Sequence, residues 1–205
     1  MDKVRLHTMA LSPYGWGARL IACEKGVEVE LAAAEVSDQG YESLHPFRKM
    51  PVLIHGEVVI YESIAIANYL DEAFPGPALR PADPVGRARV LTWLSVTSNY
   101  LFPIMNGLIK AVYEPKSAVL TLTIEELAAA LTGLMQKLED ALKRTGCLVG
   151  EDLTLADFYL IPHLKTAALT PQGASEIAAW PAVNAWMQRL EARPAYGLAN
   201  PLVIG

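Results

Sequence analysis

Residues 74–84 read FPGPALRPADP, four prolines and one glycine in eleven positions. Proline has no N–H to give a helix or a sheet, and it biases the residue before it away from helical backbone. No regular element can run through such a stretch, so the chain is divided there into two parts. The division read from it is a domain over residues 1–75, a linker over 76–84 and a second domain over 85–205.

The two parts follow different patterns. In the first, KVRLHTM is a short strand, and residues 17–25 form a helix with Leu20, Ile21 and Cys23 on its apolar face. VEVELAA alternates apolar residues with glutamate, the period of a half-buried strand over 27–33. After a polar loop, MPVLIHGEVVIYES holds two apolar runs joined by a turn at HGE, a hairpin. ESIAIANYLDEAF then places Ile64, Ala67 and Leu70 on one helical face. The order is β-α-β-loop-β-β-α. Beyond the linker everything reads as helix. Thr123 with Glu126, and Thr154 with Asp157, are spaced as capping boxes. Between them Ile124, Leu127, Leu131, Leu134, Leu138 and Leu142 recur at steps of three and four, and Gly146 suits the stop. Trp180-Pro181 opens a last helix.

Composition excludes several classes. With 52% hydrophobic residues among 205, the chain can bury a sizeable core. A net charge of −5 disfavours nucleic acid, which needs a basic face to displace counterions. No run approaches the roughly 18 apolar residues of a membrane helix, and the start MDKVRLHTMA lacks the apolar core of a secretory signal. Cys23 and Cys147 are too few for a disulfide framework, so reduced thiols in a cytoplasm are expected. The four histidines stand far apart with no CxxC or HExxH, so no metal is expected.

Three short stretches carry chemistry. In ALSPYGWGARL, Ser12 and Pro13 read as the N-cap and first residue of a helix, yet Gly15 and Gly17 occupy what would be its first turns. Ser12 is either a plain cap or a hydroxyl kept free by glycines that delay the helix. In KMPVL, Pro51 stands at the start of a strand; a cis bond would turn Met50's backbone groups outward, while a trans proline would simply open an edge strand. In YES, Glu62 and Ser63 sit where a strand passes into a helix. The helix N–H groups could hold a carboxylate and Glu62 an ammonium, the pair of charges on an α-amino acid. A cap serine beside a solvated glutamate is the plainer alternative.

Taken together, SPYGWGAR, HPFRKMPVL, YESIAIANYL, the proline-rich linker and LTLADFYLIPHL resemble the cytosolic glutathione transferase family over about residues 4–197. The resemblance is to its serine-type classes, with a zeta-, theta- or phi-like N-terminal motif of the kind found in bacterial members. It implies a thioredoxin-like α/β N-terminal domain (βαβαββα, cis-proline) that binds glutathione, followed by an all-α domain that supplies the electrophile pocket. Pro51 would be cis, and Met50 would pair its backbone with the cysteinyl part of glutathione. Glu62 and Ser63 would hold the γ-glutamyl end, and Lys49 would lie near the glycine carboxylate. Ser12 would hydrogen-bond the glutathione sulfur and favour the thiolate, with Tyr14 as the competing hydroxyl. A thioredoxin-type redox role would need a cysteine at the start of the first helix, whereas Cys23 stands downstream and reads as core.

Asn99, Tyr100, Pro103 and Asn106 fall at helical spacing on a band that could face Ser12 and, with Tyr14, line the second-substrate pocket; several also fit ordinary helix packing. Pro103 should bend that helix. Two departures stand out. The zeta-class stretch has an arginine where this chain has Gly17 and a serine where it has Pro13, which weighs against isomerase activity. His45 replaces the asparagine of a usual NP pair, a local turn variation. The expected function is a homodimeric glutathione transferase of detoxification type acting on small hydrophobic electrophiles. Isomerisation, dehalogenation or β-ether cleavage on the same site, or a non-catalytic binding module, are the alternatives.

Overall fold

The computed structural model describes residues 2–32, 36–115 and 122–202. They fall into two compact units: residues up to Leu79 together with those from Arg193 onward, and Arg80–Ala192.

The first unit is built on four strands, β1 (Val4–His7), β2 (Val29–Ala32), β3 (Val52–His55) and β4 (Val58–Tyr61), in the order β2-β1-β3-β4. The predicted second strand is observed as Val29–Ala32; Ala33 lies outside the described residues. Helix α1 (Pro13–Glu24) links β1 to its parallel neighbour β2, while β3 and β4 form an antiparallel hairpin against β1. Val4 and Leu6 point into the core and Arg5 outward, the alternation a half-buried strand requires. Helix α2 (Ser63–Ala73) packs on α1 and on the hairpin through buried Ile66, Ala67 and Leu70. The arrangement is the thioredoxin-like one expected, except that the described residues between β2 and β3 hold a 3₁₀ turn at Tyr41–Ser43 where the βαβαββα order implied a helix.

Helix α1 begins four residues before the predicted position 17. The Ser-Pro start takes effect at once, and the glycines do not delay it. Gly15 answers to packing: a Cβ there would stand 1.8 Å from Thr8 Oγ1. Cys23, expected in the core, is only half-buried.

Two ion pairs extend this unit past its predicted ends. Lys25 Nζ lies 3.2 Å from Asp71 Oδ1, both side chains are buried, and Nζ also donates to the Pro77 carbonyl at 2.9 Å. The same Asp71 oxygen accepts the Leu79 N–H at 2.9 Å, so the start of the proline-rich segment is tied to α1 and α2. At the other end of the chain, Arg193 makes a two-pronged bond to the Glu24 carboxylate, 2.5 and 2.6 Å. It docks helix α9 (Pro194–Ala199) on α1, where Tyr196 meets Trp16 at 5.6 Å between ring centres. The sequence reading had placed this last segment with the helical domain; the guanidinium–carboxylate fork and the aromatic contact bring it to the first unit.

The second unit comprises α3 (Pro84–Val96), a π-helical segment (Thr97–Leu101), α4 (Phe102–Tyr113), α5 (Ile124–Thr145), α6 (Leu155–Ala167), α7 (Pro171–Ala178) and α8 (Pro181–Glu191). Both capping boxes form, at Thr123–Glu126 and Thr154–Asp157. Helix α6 is buried on nearly every face, and Asp157 accepts from the Leu148 and Thr154 N–H groups and from Trp186 Nε1. Helix α5 packs on α4, α7 and α8 through its leucine stripe and ends at Gly146, which takes φ 74°. Trp180 gives α8 no side-chain cap. Buried Glu139 of α5 supplies one instead, accepting the Ala182 and Val183 N–H groups at 2.9 and 3.1 Å. No helix among the described residues is long and apolar enough to cross a membrane.

Candidate functional site

The strand register gathers the singled-out stretches at one end of the sheet. His7, the last residue of β1, faces Val52, the first of β3, and Val52 faces Tyr61, the last of β4. Antiparallel pairing therefore puts the exit of β1, the entry of β3 and the exit of β4 side by side, at strand spacings of about 4.8 Å. Ser12 follows the first, Met50-Pro51 precedes the second, and Glu62-Ser63 follow the third.

Ser12 is buried, at 6% exposure, and is the N-cap of α1. Its N–H donates to the Met9 carbonyl at 3.2 Å and its Oγ accepts the Gly15 N–H at 3.2 Å. The hydroxyl oxygen is thus engaged with the helix as a cap, and the glycines do not keep it off. A serine oxygen that accepts still carries its own proton to donate. Tyr14, in the first turn of α1, is half-buried.

The Met50-Pro51 bond is cis. The approach to it is pinned from two sides. Buried Tyr41 donates its phenol to the Lys49 carbonyl at 2.9 Å, and Arg48, with φ at 49°, donates to the Val36 and Asp38 carbonyls at 3.0 and 2.9 Å. Lys49 itself is exposed. Burial pushes the Tyr41 phenol pKa up, which keeps it protonated as a donor.

Glu62 precedes α2 with φ 69° and ψ 115°, a conformation that non-glycine residues rarely take and that costs on the order of 1–3 kcal/mol. Its carbonyl accepts the Ile66 N–H at 3.0 Å. Its side chain makes no capping bond and is 64% exposed, and Ser63 is the first residue of α2. Backbone strain held at such a point marks a place where the direction of a side chain or an N–H matters more than local stability.

The remaining predicted residues belong to the second unit. Asn99 turns its amide back to the Ser95 carbonyl and hydroxyl, both at 3.0 Å, while Tyr100 is 63% exposed. Pro103 is exposed in the first turn of α4 and Asn106 is half-buried. The helix accommodates Pro103 by a π turn: the Phe102 N–H reaches back five residues to the Thr97 carbonyl. Proline has no N–H for the residue-99 carbonyl, and the wider turn keeps its ring clear of that oxygen.

Residues that sequence reasoning missed are Tyr41, which holds the Lys49 carbonyl, and Thr8, whose side chain fills the space that a Cβ on Gly15 would need. Burial and the nearby Arg5 charge lower the His7 pKa, which favours its neutral form at the same sheet end. Among the described residues no cluster of histidine, cysteine, aspartate or glutamate could hold a metal ion.

Both units match known families. Residues 6–78 match the family model described as "Glutathione S-transferase, N-terminal domain", and residues 103–194 match "Glutathione S-transferase, C-terminal domain". Glutathione S-transferase 3 of Zea mays is 30% identical over an alignment covering 96% of this chain and 92% of that protein. The structure of glutathione S-transferase III in apo form superposes with a TM-score of 0.85 at 28% identity, covering 96% of this chain and 95% of the other. A glutathione S-transferase-I bound with lactoylglutathione shares the fold, with a TM-score of 0.86 at 23% identity, covering 98% of this chain and 99% of that one. With family models matched in both units and a relative aligned along nearly its whole length, the chain belongs to the glutathione S-transferase family.

Proposed function

We propose that the chain binds glutathione at the sheet end where β1, β3 and β4 meet and activates its thiol for attack on a hydrophobic electrophile. The observation that carries this reading is the register His7–Val52–Tyr61, which brings Ser12, the cis Met50-Pro51 pair and the strained Glu62 to one edge. That a similar fold was obtained as a complex with lactoylglutathione agrees with it.

In this reading Met50 pairs its backbone with the cysteinyl residue as an added strand would. The α2 N-terminus at Ser63 receives the γ-glutamyl carboxylate, Glu62 the ammonium, and Lys49 the glycine carboxylate. The sulfur then lies near the start of α1. A free thiol with a pKa of about 8.5 is mostly protonated at neutral pH. The Ser12 O–H, donating to sulfur, and the positive end of α1 both favour the thiolate, which is the nucleophile. The sulfur lone pair forms the C–S bond. The displaced bond's electrons depart with the leaving group or, in an addition, move onto the acceptor, which then takes a proton from solvent. Ser12 forms no covalent bond.

In this reading Asn99, Tyr100, Pro103 and Asn106 of the helical unit offer amide, phenol and apolar ring contacts to the electrophile. The working species is a homodimer in the cytoplasm. Calorimetry with glutathione tests the binding half. Micromolar to millimolar affinity in the wild type, weakened by Glu62→Ala, is expected; no heat at millimolar ligand overturns it.

A further inference from the structure

His45 sits in the loop that leads to Met50 and is buried, at 2% exposure. Its Nδ1 accepts the Phe47 N–H at 3.2 Å. A neutral ring that accepts through Nδ1 carries its proton on Nε2, so the tautomer is set by the turn. The ring lies tilted against Tyr61, 4.9 Å between centres, and edge-on to Phe47 at 6.1 Å, so its orientation is fixed as well. Nε2 then stands 4.0 Å from Glu62 Oε1, beyond hydrogen-bond distance but within reach of a small rotation of that exposed carboxylate. Glu62 is the residue whose backbone is strained and whose own side chain caps nothing.

The turn alone does not need histidine. An asparagine at this position would offer Oδ1 to the Phe47 N–H in an Asx turn, but it has no atom where Nε2 stands. The imidazole adds a donor, Nε2–H, across the ring from the accepting Nδ1 and 4.0 Å from Glu62 Oε1. We infer that His45 is a positioning residue for Glu62: buried and locked in one tautomer by Phe47, it offers Nε2–H to one carboxylate oxygen when the exposed side chain turns toward it, and leaves the other for a ligand ammonium. This rests on the reading of Glu62 as the partner of the γ-glutamyl ammonium. It makes His45 a determinant of specificity for ligands that carry an α-amino group, without contact to the thiol.

The test is calorimetry and steady-state kinetics on the full chain with two ligands. One is glutathione; the other is glutaryl-cysteinylglycine, which keeps every group of glutathione except the α-ammonium. Because Glu62 is largely exposed, His45→Asn should weaken glutathione about three- to five-fold, the upper range for such a pair. It should leave the deaminated ligand unchanged and raise KM for glutathione with kcat retained. His45→Gln, whose amide nitrogen reaches the Nε2 position, should restore most of the affinity. In a Glu62→Gln background the His45→Asn effect should vanish. Equal losses for both ligands, or none for either, overturn the role and leave His45 a turn residue. If His45→Asn does not fold, His45→Gln decides: a wild-type preference for glutathione over the deaminated ligand supports the role, and equal affinities overturn it. Absence of glutathione binding in the wild type would instead overturn the glutathione reading itself, and the His45 role with it.

Discussion

The Ser12 hydroxyl oxygen accepts the Gly15 N–H at 3.2 Å, and Gly15 in turn lies so close to Thr8 that a methyl group there would stand 1.8 Å from Thr8 Oγ1. Under the proposed mechanism, capping and thiol activation would not compete for the same atom: the oxygen's lone pair serves the helix, and the O–H would donate to the sulfur.

Ser12→Ala is expected to lower kcat/KM by about 10- to 100-fold, the worth of one hydrogen bond to a charged group. It should also cost about 1 kcal/mol of stability through the lost cap. Ser12→Thr should retain most of both. Full turnover in a folded Ser12→Ala enzyme would remove the serine from the mechanism.

Gly15→Ala should destabilise the chain even though alanine is the better helix former by about 1 kcal/mol. The added methyl meets Thr8 Oγ1 and Cβ, and overpacking of this kind costs about 1–3 kcal/mol. Urea midpoints would show the loss, and Thr8→Gly in the same chain should recover much of it.

The Lys25–Asp71 pair holds the start of the proline-rich segment, with Nζ on Pro77 and the carboxylate on Leu79. Lys25→Met leaves the Asp71 charge buried and should cost about 3–5 kcal/mol. Lys25→Met with Asp71→Leu should cost less than the two single changes added together, which a double-mutant cycle on denaturation midpoints would detect.

His163 is fully buried in α6, its Nδ1–H donating to the Tyr159 carbonyl at 2.9 Å, and burial pushes its pKa down to about 3. The unfolded chain takes up the proton near the ordinary histidine value of about 6.5, and the folded one does not until about 3. The histidine's contribution to stability is therefore complete above that upper value. It is lost as pH falls through the window, at up to about 1.4 kcal/mol per pH unit. Stability measured between pH 6.5 and 4 should fall less steeply in His163→Gln than in the wild type.

Much of the fold is legible along the chain. The two capping boxes and the leucine steps of α5 are local patterns, and each formed where its spacing placed it. The alternation read over 27–33, by contrast, left Leu31 exposed, and the first unit ran on into the proline-rich segment to Leu79. The start of α1 was misplaced because the two glycines were weighed as helix breakers. Their cost of about 1 kcal/mol each is small beside a packing requirement that no local rule reveals. Glu139 shows the same limit: it caps a helix through an N–H 43 residues away, and along the chain it is one more glutamate on a helix face.

By itself the sequence determined the types of element, their order, the break between the two parts and the short motifs around Ser12, Pro51 and Glu62, because propensity, capping and turn chemistry act within a few residues. Only the tertiary structure decided that these motifs share one end of the sheet. It also decided that α9 returns to α1 through Arg193 and Glu24, and that buried His45 comes within 4.0 Å of Glu62. Those facts depend on strand register and on charges meeting across long stretches of chain, where the contact energy must offset the entropy of closing a loop, and no local pattern records which pairs succeed.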